Sequence, residues 1–367
     1  MGKLKSFFRR LDDPRAENAS HELLEVLFIA LAATLCGAKG ASDMADFGRR
    51  KEALLRRFLR LEHGIPSHDT FSRVFRLLEP EAFERIFRRF VEAFASFHHL
   101  DLNGVIAVDG KSLRGAYERG KSATPMHLVN AFAAKARLAL ASCKAPERNE
   151  IDAALEILQM LRLKRKTVTA DALFCCRSMA RLILDQGGHY VLALKKNQAK
   201  LFAAVESRFG RKGERDTAEQ REQATHDRRE LRKAAVMRNA TLADLHGFPG
   251  IVAIGRVTSW RRRKGQPADK PFVRYFLLSK YVSAKKLLSI VRSHWSIENQ
   301  LHWVLDVVFD EDAARARSDG APENFAILRK LALNLLRTHP AKMSLRRKIN
   351  AAAWDESFLL SILGQMR

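Results

Sequence analysis

Apolar positions recur at three- and four-residue intervals over Leu23–Leu35, Ala53–Leu61 and Glu81–Phe97, which predicts helices throughout residues 1–100. Gly64-Ile65-Pro66-Ser67-His68-Asp69 interrupts that pattern, and Ser67 is placed to cap a short basic helix over Phe71–Leu78. From residue 102 the pattern changes. Val105–Val108, Met126–Ala133 and Arg137–Cys143 read as three successive strands, the last two joined by a tight turn at Ala134-Lys135-Ala136. A helix over Glu150–Leu163, a strand over Thr167–Ala170, a helix over Arg177–Asp185 and a strand over Tyr190–Leu194 follow. Arg208–Arg238 is polar and highly charged. Beyond it, strand-like runs Gly250–Val257 and Phe272–Leu278 flank Trp260-Arg261-Arg262-Arg263-Lys264-Gly265, a basic hairpin tip or a solvated loop. Ile297, Leu301, Val304, Leu305 and Val308 form the apolar stripe of a late helix.

This order defines an α/β chain: a mixed sheet flanked by helices, in the succession found in ribonuclease H-like folds. The expected organisation is a helical region at 1–100, the first part of the core at 101–200, a basic β-containing insertion at 201–280, the rest of the core at 281–340 and a helical tail at 341–367. Val26–Ala38 is too short to span a bilayer and reads as a buried helix. Cys36, Cys143, Cys175 and Cys176 show no paired metal-binding spacing and no disulfide framework, so a reduced cytoplasm is the expected compartment.

Charge narrows the chemistry. The net charge is +24, and most of the surplus lies between residues 101 and 300. A concentrated cationic surface suits a polyanion such as double-stranded DNA, bound through its phosphates, better than a membrane. Within that basic stretch stand three acids of interest. Asp109 closes the first strand, Asp171 follows the fourth, and Glu298 lies at the front of the late helix. Carboxylates from two strand ends and a helix can converge on hard divalent cations, which stabilise the attacking and leaving oxygens of a phosphoryl transfer. His294 and His302 sit four residues either side of Glu298, so a zinc site is a weaker alternative. Asp306, Asp310, Glu311 and Asp312 are rivals for the third acid. Singly, each acid is weak evidence, since a strand-ending Asp-Gly is more often a turn.

Val108-Asp109-Gly110-Lys111-Ser112-Leu113-Arg114-Gly115, Val168-Thr169-Ala170-Asp171-Ala172, Leu194-Lys195-Lys196-Asn197-Gln198 and His294-Trp295-Ser296-Ile297-Glu298-Asn299-Gln300-Leu301-His302-Trp303 resemble the bacterial insertion-sequence transposases of the H-repeat-associated family. The resemblance covers nearly the whole chain. It implies a DDE transposase with a ribonuclease H-like core, a β-rich insertion before the last acid, and Asp109, Asp171 and Glu298 as the triad holding two Mg2+ ions, or Mn2+. It also implies cleavage at element ends, transfer of the 3′ hydroxyl to target DNA, DNA-end binding by the helical region, and a homodimer or higher oligomer on nucleoid DNA. Lys111, Arg114, Lys195, Lys196, Asn197 and Gln198 near the strand ends, Arg261, Arg262, Arg263 and Lys264 in the insertion, and His294 and His302 are the expected DNA contacts. The chain departs from the wider superfamily at Val291, His294 and Leu305, where Tyr, Arg and Lys are common, and in having Cys175-Cys176-Arg177 where a Gln is expected. A junction-cutting nuclease without strand transfer and an inactive DNA-binding relic are the alternatives.

Overall fold

The computed structural model describes residues 2–17, 19–117, 125–145, 147, 149–211, 215–225, 228–263 and 269–365. Six helices come first: α1 (Gly2–Phe8), α2 (Leu23–Leu35), α3 (Ala41–Arg50), α4 (Glu52–Leu55), α5 (His68–Leu77) and α6 (Pro80–Phe97). α2 is apolar on every side because it is buried on every side, with Val26 to Ala33 fully enclosed. Among the described residues no helix is long and apolar enough to cross a membrane. Ser67 caps α5, its Oγ accepting the Thr70 amide at 3.3 Å, and the helix begins at His68, earlier than the periodicity places it. The helix expected over Ala53–Leu61 shrinks to the single turn α4, since Leu61 adopts a left-handed backbone (φ 50°) and its amide donates to the buried Glu25 at 2.8 Å.

Strands β1 (Val105–Tyr117), β2 (Pro125–Ala133) and β3 (Leu138–Lys144) form an antiparallel meander. Helix α7 (Glu150–Met160), strand β4 (Thr167–Ala170), helix α8 (Arg177–Asp185) and strand β5 (His189–Leu194) then place β4 and β5 parallel to β1. Helices α9 (Ala199–Gly210) and α10 (Thr241–His246) accompany four more strands: β6 (Asp216–Thr225), β7 (Arg228–Arg238), β8 (Ala253–Arg263) and β9 (Phe272–Leu278). One nine-stranded mixed sheet results, in the order β3-β2-β1-β4-β5-β9-β8-β7-β6. This is the ribonuclease H-like arrangement that the element order predicts.

The insertion differs from expectation in two ways. It extends the sheet, because β9 pairs antiparallel with β5 and satisfies what would otherwise be an open edge. The polar stretch before residue 238 forms the hairpin β6–β7, whose charges are hidden from a hydrophobicity count because they pair across strands: Glu219 opposes Lys233 and lies 3.0 Å from its Nζ. The same hairpin buries Ala234, Ala235 and Val236.

Helix α11 (Ala284–His294), capped by Ser283, packs over Val191, Ala234, Val257, Phe276 and Leu278 on one face of the sheet. Gly255 permits the approach, since a Cβ there would lie 2.5 Å from Leu287 Cδ2. A π-helical turn over Glu298–His302 leads into α12 (Trp303–Val307), and α13 (Ala321–Thr338), α14 (Leu345–Trp354) and α15 (Glu356–Leu363) complete the chain. α13 is buried along most of its length and joins the N-terminal helices and the sheet in one hydrophobic core. All four cysteines are free thiols.

Candidate active site

Asp109 and Asp171 come from neighbouring parallel strands. Val108 is in register with Ala170, so each acid follows its paired residue at the same end of the sheet. Alternation along β1 turns Asp109 toward the face carrying α11, where Asn130 of β2 stands opposite it. α7 lies on the other face, reached by His127 and Cys143, which contact Glu150 (2.8 Å) and Glu156 (3.1 Å).

The late helix supplies the remaining groups. His302 Nδ1 lies 3.1 Å from Glu298 Oε2 and 3.7 Å from Asp109 Oδ2, so one imidazole joins the acid on the helix to the acid on the first strand. Its Nε2 lies 3.4 Å from Asn130 Nδ2, a pairing in which the amide donates to the ring and leaves the Nδ1–H facing the carboxylates. His294, at the end of α11, places Nε2 3.4 Å from Asp171 Oδ1 and Nδ1 3.2 Å from Thr169 Oγ1. The π turn sits at the acid-bearing segment itself, a common location for such turns.

Electrostatics separates the three acids. Burial pushes the Asp109 carboxyl up to about 6, against the opposing pull of His302 and His294. The hydrogen bond from His294 holds Asp171 below the usual carboxylate range, and the one from His302 does the same for Glu298. Gathering carboxylates this closely is unfavourable without a counter-charge. Asp109, Glu298 and His302 each offer one ligand atom, all within 4.8 Å of one another. The two carboxylate oxygens suit a hard divalent ion, with His302 bracing Glu298 through its Nδ1–H. Asp171 stands outside that trio, beside His294.

The rival acids are engaged elsewhere. Lys111 is 7% exposed, and its Nζ lies 2.5 Å from Asp306, 3.3 Å from Asp312 and 3.4 Å from Glu311. Asp310 bonds Lys39 at 2.7 Å. This corrects the expectation that Lys111 lies free at the DNA: it shares the Asp109 face of β1, and the segment after α12 covers it there.

Other expected contacts divide similarly. Arg114, Lys195 and Lys196 are exposed. Asn197 donates to Ala172 O (2.7 Å) and Gln198 to Cys175 O (3.2 Å), tying the turn after β5 to the segment following Asp171, a structural use of both amides. Arg261 and Arg262 belong to strand β8 and not to a hairpin tip. They are paired in register with Glu230 and Arg229, because β7 continues the ladder to the end of β8. Arg261 lies 3.5 Å from Glu230, and Arg262 is exposed. The Arg263 side chain and Lys264 lie outside the described residues.

Sequence reasoning missed Arg274. It lies 4.8 Å from the Trp295 ring centroid and 4.9 Å from that of Phe272, with Asp171 among the charges that act on it. Its position on an alternating strand beside Phe272 and Phe276 is the only sequence signal it carries. The superfamily's missing Tyr and Lys positions, Val291 and Leu305, are core residues here.

An acidic, histidine-braced centre stands at strand ends of a ribonuclease H-like sheet, and sequence comparison defines the family. The family described as "Transposase DDE domain" matches residues 102–335, and the "DDE_Tnp_1-associated" family matches residues 5–91. The chain belongs to the DDE transposase family. It is 34% identical over 353 residues to "H repeat-associated putative transposase YhhI" of Escherichia coli (strain K12), covering 94% of this chain and 92% of that one. It is 33% identical over 355 residues to "Putative transposase YncI" of Escherichia coli O157:H7, covering 94% and 89%.

Proposed function

We propose that the chain cuts DNA at the ends of an insertion sequence and transfers the freed 3′ hydroxyl to target DNA, with Asp109, Asp171 and Glu298 as its triad. The observation that supports this reading is the gathering of Asp109, Glu298 and His302, with Asp171 at the end of the neighbouring strand beside His294. Divalent ions, two of Mg2+ or Mn2+, would there polarise a phosphoryl oxygen and activate water or the 3′ hydroxyl. The carboxylates hold the charge that loads them. His302 fixes the orientation of Glu298 through its Nδ1–H, and His294 does so for Asp171. Arg274, backed by Trp295 and Phe272, provides a cation beside Asp171 for a phosphate oxygen. The helical region over residues 1–100 would bind element ends, in a dimer or larger assembly on DNA in the cytoplasm.

The test uses labelled element ends and a target plasmid. Asp109→Asn, Asp171→Asn and Glu298→Gln each keep shape and remove a ligand charge, so cleavage should fall by orders of magnitude while DNA binding persists. An active Glu298→Gln beside an inactive Asp306→Asn or Glu311→Gln would transfer the third role to another acid. Cleavage without joined products would identify a nuclease lacking strand transfer.

A further inference from the structure

Residues 314–318, which follow the catalytic helix, close a cavity of about 290 Å3 against the Lys39–Ala41 segment and α5. Its lining includes Lys39, Arg76, Arg315, Arg317 and Arg329, with the Ser72 hydroxyl beside them and no carboxylate among the described residues. Arg329 is 4% exposed and donates to Lys39 O at 3.3 Å, so one guanidinium is built into the wall. The neighbouring carboxylates only partly balance this charge: Asp310 takes Lys39, Asp319 takes Arg76 at 2.8 Å, and Glu311 lies 3.9 Å from Arg329. Arg315 is exposed and has no hydrogen bond or ion pair among the described residues. Gly40 and Ala41 at the start of α3 line the same wall, where Gly40 offers no side-chain cap and the Asp43 carboxylate of the first turn accepts the Lys39 amide at 2.7 Å. Like charges gathered in a concavity repel unless an anion enters it.

We propose that this cavity receives one backbone phosphate of duplex DNA at a distance from the cut, and so couples the helical region to the strand that carries Asp109. The inference rests on the transposase reading and adds a specific DNA contact to it. Lys39 and Arg76 keep 64% and 50% of their side chains exposed, so the rim is open enough for a phosphodiester still attached to its sugars. The lining is also anchored to the catalytic strand. Arg317 Nε donates to Gly115 O at 2.9 Å, and a Cβ on Gly115 would collide with Ala314 O. Gly115 lies six residues beyond Asp109 on β1, so at ~3.3 Å per residue the Arg317 anchor is at most about 20 Å along the strand from Asp109, and Arg329 on the opposite wall is linked through Glu311 to Lys111. At ~3.4 Å per nucleotide along one strand, the captured phosphate is within about six nucleotides of the cut.

The experiment measures DNA affinity against salt, and phosphate-ethylation interference, for the full-length protein, Arg315→Gln, Lys39→Gln/Arg315→Gln and Ser72→Asp. Loss of the contact should lower the slope of log affinity against log salt by about 0.9. It should also remove one interference position away from the cut itself, within about six nucleotides of the element end. Ser72→Asp places a carboxylate in the cavity and should weaken binding at least as much. Unchanged slope and interference in the folded Arg315 variants would overturn the proposal, whatever Ser72→Asp does. So would a free-anion site, seen as thermal stabilisation by inorganic phosphate that Arg315→Gln abolishes while the DNA slope stays constant. The transposase reading fails separately, if the wild-type protein neither cuts nor joins DNA. An interference position that depends on Arg315 would support the cavity even then.

Discussion

Replacing Lys111 with Met removes the cation that three carboxylates share while keeping most of the apolar stem. At 2.5, 3.3 and 3.4 Å, and an effective dielectric of about 20, each contact is worth roughly 5–7 kcal/mol before the cost of burying the ammonium is subtracted. Asp306 and Asp312 keep 31% and 29% of their side chains exposed and can recover hydration. Glu311 cannot: its side chain is 0% exposed, neither oxygen has a hydrogen bond, and Arg329 is 3.9 Å away. Leaving a buried carboxylate with only the more distant Arg329 beside it costs up to about 3–5 kcal/mol, which at about 2.1 cal/mol/K per residue lowers Tm for a chain of this size by roughly 4–7 °C. The sign with pH follows from the same carboxylates. Burial already raises the Asp306 carboxyl above its usual range, and without Lys111 the main pull against that rise is gone, so the variant takes up more protons on folding than wild type and recovers stability relative to it as pH falls. Denaturant unfolding of wild type and Lys111→Met at pH 7.5 and pH 5.0 should therefore show a gap that narrows on acidification. A gap below about 1 kcal/mol at pH 7.5, or one that stays constant with pH, would refute the reasoning. A DNA salt slope lowered by about 1 with no loss of stability would restore Lys111 to the DNA surface.

Asp109→Asn should be more stable than wild type by about 1–3 kcal/mol in chelator at pH 7.5. The folded pKa of about 6 lies above the unfolded value, so ionisation costs stability as pH rises from about 4 to about 6. The two proteins should converge near pH 4, Mg2+ or Mn2+ should stabilise only the wild type, and a variant less stable at both pH values would contradict this. For His302→Ala, metal affinity followed by Mn2+ titration should fall at least about tenfold, through loss of the Glu298 brace. Stoichiometric zinc in the purified protein, lost on His294→Ala or His302→Ala, would instead make the histidines the primary ligands. Neutralising Arg261 and Arg262 together should lower the DNA salt slope by about 1–2, with most of the change from the exposed Arg262; an unaltered slope would leave the end of β8 merely solvated.

The sequence by itself determined the order of elements in the core and which acids stand at strand ends. Both follow from local periodicity: an apolar run ending in Asp109, a polar-apolar alternation ending in Asp171, and a three-to-four-residue stripe beside Glu298 can be read without a partner in space. It also determined that α2 is buried, because a helix apolar on every side has nowhere else to go. Only the tertiary structure decided what the charged residues do. Lys111 and Arg114 stand in one motif three residues apart, yet one lies under three carboxylates and the other reaches solvent, because Asp306, Glu311 and Asp312 arrive from nearly two hundred residues away. The β6–β7 hairpin was hidden for the same reason: its strands are stabilised by cross-strand pairs such as Glu219 with Lys233, and a pair has no signature until the register is set. Arg274 and the cavity beside Arg315 depend on elements brought together from distant parts of the chain. A side chain's charge is written in the sequence, but whether it is neutralised, buried or left facing an empty concavity depends on which neighbours the fold brings to it.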